Sequence, residues 1–173
     1  MNDLKWLDGY SGQSVDELIA LASEYRIDSI VLAFEQALQE KAVSVGLSGL
    51  SEVELTVLAV EALEREVNNG GYHQFFLNAP EFASCIVAAL DRIGCPNTAK
   101  ISQAALAHLG VRQPLTTAQI QIALDQNTEG KLDSILSERC DPLYYNSGES
   151  IERRLLEFIR ANAHAIELGP LTT

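Results

Sequence analysis

The sequence predicts an all-α fold: a single compact, bundle-like domain of about eight helices. Three observations carry that expectation. Apolar residues recur at spacings of three and four throughout, and no segment alternates with period two for long enough to make a strand. Three Ser/Thr-x-x-Glu/Gln boxes, at Ser14 and Glu17, Ser51 and Glu54, and Thr116 and Gln119, mark helix starts, because the hydroxyl accepts from the third helical N–H while the longer side chain reaches back. The connections between periodic segments are short, with glycine or proline at their ends, as in compact helical domains. With 173 residues and 47% hydrophobic content, the chain can bury about two-thirds of its unfolded surface in one core. Residues 1–13 read as an irregular arm, 14–168 as the helical domain and 169–173 as a tail.

Taken in order, the first helix runs from Ser14 to about Tyr25, and Asp28 or Ser29 caps the second. In that second helix Ile30, Val31, Phe34, Ala37, Leu38 and Ala42 form an apolar stripe ending at Gly46, with Asp28 and Glu35 on the opposite, polar face. The third helix opens at Ser51 and continues through Val67. Its apolar residues cover most of its circumference, which makes it central, and its polar strip carries Glu54, Glu61 and Glu64. Pro80 opens a helix that Gly94 ends; Asn97 or Thr98 caps the next, as far as Gly110. Thr116 starts another, Asn127 to Gly130 is a turn, and a further helix reaches Arg139 before Asp141 and Pro142 break it. Ser147 starts the last long helix, with Ile151, Leu155, Leu156, Phe158 and Ile159 as its buried face.

Between Glu66 and Asn78 the chain reads E-V-N-N-G-G-Y-H-Q-F-F-L-N. Asn68, Asn69, Gly70 and Gly71 interrupt the helix, and Gly70 or Gly71 can take positive φ and admit another chain segment closely. Tyr72, Phe75 and Phe76 then share one face and plug into the core. Glu66, Asn69, His73, Gln74 and Asn78 stand where they could line a polar pocket with Cys85 near. Their structural roles weigh more: His73 hydrogen-bonding a freed carbonyl, Asn69 and Gln74 satisfying backbone at the turn.

Charge narrows the partners. Twelve Lys and Arg stand against 24 Asp and Glu, a net of −12, which opposes direct binding to nucleic acid or anionic membrane and favours a basic partner. The excess is segregated: residues 1–91 hold 15 acidic and 4 basic side chains, a net of −11, and residues 92–173 hold 9 and 8, a net of −1. Such asymmetry suits an acidic interaction face, for which Asp16, Glu17, Glu24, Asp28, Glu35, Glu54, Glu61 and Glu64 are the candidates.

No Glu-x-x-His precedes any of His73, His108 or His164, and neither zinc-protease, serine-hydrolase nor phosphate-loop motifs occur, so no catalytic residue, metal or cofactor is expected. Cys85, Cys95 and Cys140 lack Cys-x-x-Cys spacing and read as reduced thiols, Cys85 as a small core residue. With no signal-peptide pattern and no membrane-length apolar run, the expectation is a cytoplasmic protein.

The Glu66–Asn78 run, the A-L-D-R-I-G at 89–94, and the D-P-L-Y-Y at 141–145 before a helix ending F-I-R-A-N together resemble a bacterial family of acidic all-helical proteins, the DMP19-like family. The likeness covers residues 54–162. One characterised member of that family is a DNA mimic. The resemblance implies an all-helical, non-enzymatic interaction protein whose partner is a basic DNA-binding protein, a transcription regulator or nucleoid protein. A homodimer would extend such a charged surface, though no interface is legible. The alternative reading is a small-molecule-binding domain or enzyme with its pocket at Asn68–Asn78.

Overall fold

The structure is a computed structural model and describes residues 4–112, 114–127 and 129–169. In chain order the helices are α1 (Val15–Ala20), α2 (Ile27–Val45), α3 (Glu52–Asn78), α4 (Ile86–Arg92), α5 (Pro96–His108), α6 (Thr117–Asp125), α7 (Lys131–Arg139), α8 (Asp141–Tyr145) and α9 (Ile151–Ala161). Short 3₁₀ turns occupy Leu21–Ser23, Leu47–Gly49, Pro80–Phe82 and Ala163–Ala165. Among the described residues no strand forms, only a lone bridge between Lys5 and Tyr25, so the expected all-α class is the observed one. No described helix is long and apolar enough to cross a membrane. The chain divides into two compact units, Met1–Glu61 with Ser150–Thr173, and Ala62–Glu149.

In the first unit α2 packs on α9. Ile30, Val31, Phe34 and Leu38 of α2 are buried, as are Ile151, Leu155, Leu156 and Ile159 of α9. Each such side chain contributes about 1.5–3 kcal/mol by leaving water. Helix α1 opens on the expected box of Ser14 and Glu17 and buries Leu18, but it ends at Ala20 and tightens into a 3₁₀ turn, short of Tyr25. The reason lies in the arm: Lys5 N–H donates to Glu24 C=O at 2.9 Å and Arg26 N–H to Lys5 C=O at 2.8 Å, so Tyr25 forms a lone bridge with Lys5 and Arg26 is extended. The arm is further held by Leu7 N–H on Ser29 Oγ and Tyr10 N–H on Gln36 Oε1. Helix α2 accordingly starts at Ile27, ahead of the expected caps. Asp28 instead grips the Arg26 guanidinium, and the Ser29 hydroxyl donates to Arg26 C=O.

In the second unit α4 and α5 form a hairpin across Gly94, whose φ is 80°. Pro80 opens a 3₁₀ turn, with α4 proper delayed to Ile86. Neither Asn97 nor Thr98 caps α5, which begins at Pro96. Glu149, far along the chain, accepts from Asn97 N–H, Thr98 N–H and the Thr98 hydroxyl at 2.7–2.9 Å. That duty is why the stretch from Ser147 stays non-helical and α9 starts at Ile151 in the other unit. Thr116 and Gln119 make the expected box on α6, and Asn127 Oδ1 receives Leu132 N–H at the turn into α7. Helix α7 ends at Arg139 as expected, and Asp141 and Pro142 beyond the break open the short α8. The tail expected from Gly169 falls mostly outside the described residues. Gly169 itself is buried, and a Cβ there would meet Lys41 N at 2.8 Å.

Glu54 anchors the first unit from inside. Only 1% exposed, it accepts from Lys41 Nζ and Glu167 N–H, both at 2.7 Å, and from Ser51 N–H at 2.9 Å. Ser51 Oγ completes the expected box by accepting Glu54 N–H and donates to Ala165 C=O. Burial by itself raises the Glu54 carboxyl, but the hydrogen bonds from Lys41, Glu167 and Ser51 and the Lys41 charge outweigh it and hold the group below its ordinary value. Its stabilisation is therefore present above the unfolded value near 4.5 and is lost as pH falls through the lower folded one. Glu54→Gln, which leaves Lys41 without its counter-charge, is expected to cost about 2–4 kcal/mol at pH 7 in urea unfolding. The gap to wild type should narrow on acidification below pH 4.5. A gap that stays constant with pH would mean that the carboxylate charge is not what holds the segment.

Candidate functional site

The stretch expected to be a junction is a kink inside one long helix. α3 leaves helical geometry at Gly70 (φ −167°, ψ 23°) and Gly71 (φ 75°, ψ −176°), and of the two it is Gly71 that takes the left-handed value. A Cβ at Gly71 would lie 2.0 Å from the Asp141 carboxylate, so both the conformation and the space require glycine. Backbone groups released by such a break need new partners. Tyr72 N–H donates to Asp141 Oδ1 at 3.0 Å, and Val67 C=O accepts from the Tyr145 hydroxyl at 2.6 Å. The Tyr144 hydroxyl donates to Glu64. Three side chains of α8 thus clasp α3 on both sides of the bend. Burial, with the nearby Asp133 charge, raises the Asp141 carboxyl against the pull of Tyr72 N–H.

Beyond the bend, Tyr72, Phe75 and Phe76 are buried, as expected. Tyr72 stacks edge-on to Tyr144 with centroids 5.9 Å apart and shares a 2.7 Å hydrogen bond with Ser102 of α5. Glu66 braces the inside: it accepts from Gln74 Nε2 at 2.9 Å, Asn78 Nδ2 at 2.8 Å and Arg65 Nε at 2.9 Å. Burial opposes its ionisation, but those three donors and the Arg65 charge leave its carboxyl below the ordinary value. Asn68 turns back to Glu64 C=O, and Asn69 is exposed. Two assignments need correcting. Tyr145, not His73, takes the freed carbonyl, and Gln74 serves Glu66, not the backbone; His73 Nδ1 lies 4.0 Å from Asp133. The Cys85 thiol is half-buried, pushed up by burial, and donates to Phe82 C=O, which leaves it a poor nucleophile. Glu66, Gln74 and Asn78 of the junction are therefore spent on one another.

The acidic candidates separate into two sets. Asp16, Glu17 and Glu24 are exposed, and Asp28 keeps its side chain 39% exposed while pairing with Arg26. Glu35 (4% exposed), Glu54 (1%) and Glu61 (4%) are buried and do not belong to a surface face. The polar strips read for α2 and α3 are interior because both helices are covered on more than one side; Glu35 there accepts from Gln39. Glu64 is half-buried and engaged by Tyr144. Asp141, Tyr145 and Glu149 act as distant caps, and no local pattern announces them. Among the described residues no three His, Cys, Asp or Glu side chains converge to hold a metal ion.

These features define an all-helical scaffold whose central helix is bent at a glycine and clasped by a short Asp-Pro-Leu-Tyr-Tyr helix. The chain belongs to the DMP19-like protein family, whose model matches residues 48–162. That span holds both the kink and its clasp, and it starts at the turn leading into α3. Comparison with curated proteins and comparison with solved structures each give no match.

The clasp sets a scale for substitutions. Gly71→Ala is expected to cost about 3 kcal/mol, from left-handed strain plus loss of the Asp141 contact. Gly94→Ala, equally left-handed but with nothing within 4 Å of its Cβ, should cost about 1–2 kcal/mol. Tyr145→Phe, which removes the partner of Val67 C=O, should cost about 1–2 kcal/mol. Denaturant unfolding of the three variants checks the order, and equal costs at Gly71 and Gly94 would refute the clasp.

Proposed function

We propose that this protein is a non-enzymatic acidic interaction protein that acts as a DNA mimic, occupying the DNA-reading surface of a transcription regulator or nucleoid protein. One observation carries the reading: a DMP19-like chain in which the unit formed by Met1–Glu61 and Ser150–Thr173 holds 14 acidic and 6 basic side chains, a net of −8. Four of those six cations are already matched within the unit. Lys5 pairs with Glu24, Arg26 with Asp28, Lys41 with Glu54, and Arg154 with Glu157. Little positive charge is left to offset the exposed Asp8, Asp16 and Glu17. Double-stranded DNA presents one charge per about 1.7 Å of axis, and a Lys- and Arg-rich surface built to take it also attracts fixed carboxylates. A pocket at the kink finds no such support, since Glu66, Gln74 and Asn78, which would line it, are engaged with one another.

The test is capture from lysate with tagged protein, followed by binding assays on the purified partner. A DNA-binding protein should be released by salt and displaced by duplex DNA, and raising salt from 50 to 200 mM should weaken binding by at least about tenfold. Asp16→Lys with Glu24→Lys should lower affinity about tenfold while leaving the melting temperature nearly unchanged, since both sites are exposed. Reversing the buried Glu61 would test folding and not binding. Salt-insensitive binding, or a partner indifferent to DNA, would refute the mimic.

A further inference from the structure

The second unit carries a hollow of about 360 Å³ that the mimic reading does not use. It lies at the splayed end of the α4–α5 hairpin, away from the Gly94 turn. On one side stand Ala83 and Ser84, in the turn that precedes α4, and Val87 in its first turn. On the other, Gln103, Leu106 and Ala107 occupy one face of α5 at the i, i+3, i+4 spacing. Val111 and Leu115, from the segment after α5, close a third side. Two small side chains, Ala83 and Ala107, make the space; larger residues there would fill it.

Three properties of the lining describe its ligand. No charged side chain contributes, in a chain whose net charge is −12, so nothing there would hold an anion and nothing would neutralise a cation. The walls are otherwise aliphatic, with two polar groups at the edge: the Ser84 hydroxyl and the Gln103 carboxamide. Both are exposed, and neither makes a hydrogen bond within the described chain. The volume is roughly twice that of the ~150 Å³ apolar cavity that accommodates benzene. A concavity of this size, walled by aliphatic side chains and carrying about as much polar as apolar surface, is within the range of small-molecule sites.

We propose that this hollow binds a small neutral aromatic molecule of about bicyclic size, packed between Val87 and Leu106 and hydrogen-bonded at its outer edge to Ser84 or Gln103. The site lies in the second unit and does not depend on the mimic reading. Indole is a suitable probe because it is neutral and flat and carries one N–H that Gln103 Oε1 can accept. Indole-3-acetate offers the same ring with a carboxylate.

The experiment titrates both into the intact protein, following the melting temperature and the methyl NMR signals. Indole should shift the methyl signals saturably and raise the melting temperature by about 2–4 °C at a free concentration some five times Kd. Its methyl shifts should be confined to Val87, Leu106, Val111 and Leu115, and indole-3-acetate should bind at least about tenfold more weakly. Ala107→Phe, which fills the hollow, should abolish the indole response while keeping the fold. Absence of saturable binding, equal binding of the anion, shifts elsewhere in the protein, or an undiminished response in a folded Ala107→Phe would each overturn the proposal. If that variant does not fold, the wild-type methyl shifts decide by themselves.

Discussion

A helix cannot bend sharply without giving up hydrogen bonds, and the second unit is arranged around where those bonds go. Gly70 and Gly71 take α3 out of helical geometry, and the orphaned groups are met from a single short element, α8: Asp141 for the Tyr72 N–H, Tyr145 for the Val67 carbonyl. The same bend turns Tyr72, Phe75 and Phe76 inward, and the Tyr72 hydroxyl reaches Ser102 on α5. A buried backbone group without a partner costs about 1–3 kcal/mol, so α8 is required by the kink and not merely adjacent to it. The absence of a Cβ at Gly71 is the condition for all of this, because a methyl there would take the place of the Asp141 carboxylate.

Carboxylates do two kinds of work in this chain, and net charge alone does not separate them. Glu54, Glu66 and Glu149 are internal connectors, each accepting three hydrogen bonds at distances below 3 Å. Such groups are stable inside only because donors replace the water they lose. Asp8, Asp16 and Glu17 remain at the surface, as does Glu24, which pairs there with Lys5. A formal charge of −12 therefore overstates the acidic charge left exposed, and the pairing of Lys5, Arg26, Lys41 and Arg154 ties up one carboxylate for each cation.

What was legible in the sequence follows from how far apart the interacting residues lie. The boxes at Ser14, Ser51 and Thr116 were legible because both partners sit within three residues, and Gly71 because a glycine pair inside an apolar helical pattern has few other uses. The caps supplied by Asp141 and Glu149 act across 69 and 52 positions, and local spacing says nothing about them. Glu35 and Glu61 were placed on solvent-facing strips by helical periodicity, which finds the most apolar side of a helix but not how many sides are covered. The early end of α1 likewise comes from a contact with Lys5, nearly twenty residues upstream.

The family span, residues 48–162, holds 15 of the 24 acidic side chains, while the exposed acids of α1 and the arm lie outside it. Residues 48–162 hold the kink, the clasp and the aromatic plug, whereas Asp16, Glu17, Glu24 and Asp28 lie before it. Scaffold and surface charge are therefore separable: the internal bonds of α3 and α8 would persist if every exposed acid of the first forty residues were neutral. The reverse does not hold for Glu54 and Glu66, which lie within the span and whose charge is part of the scaffold.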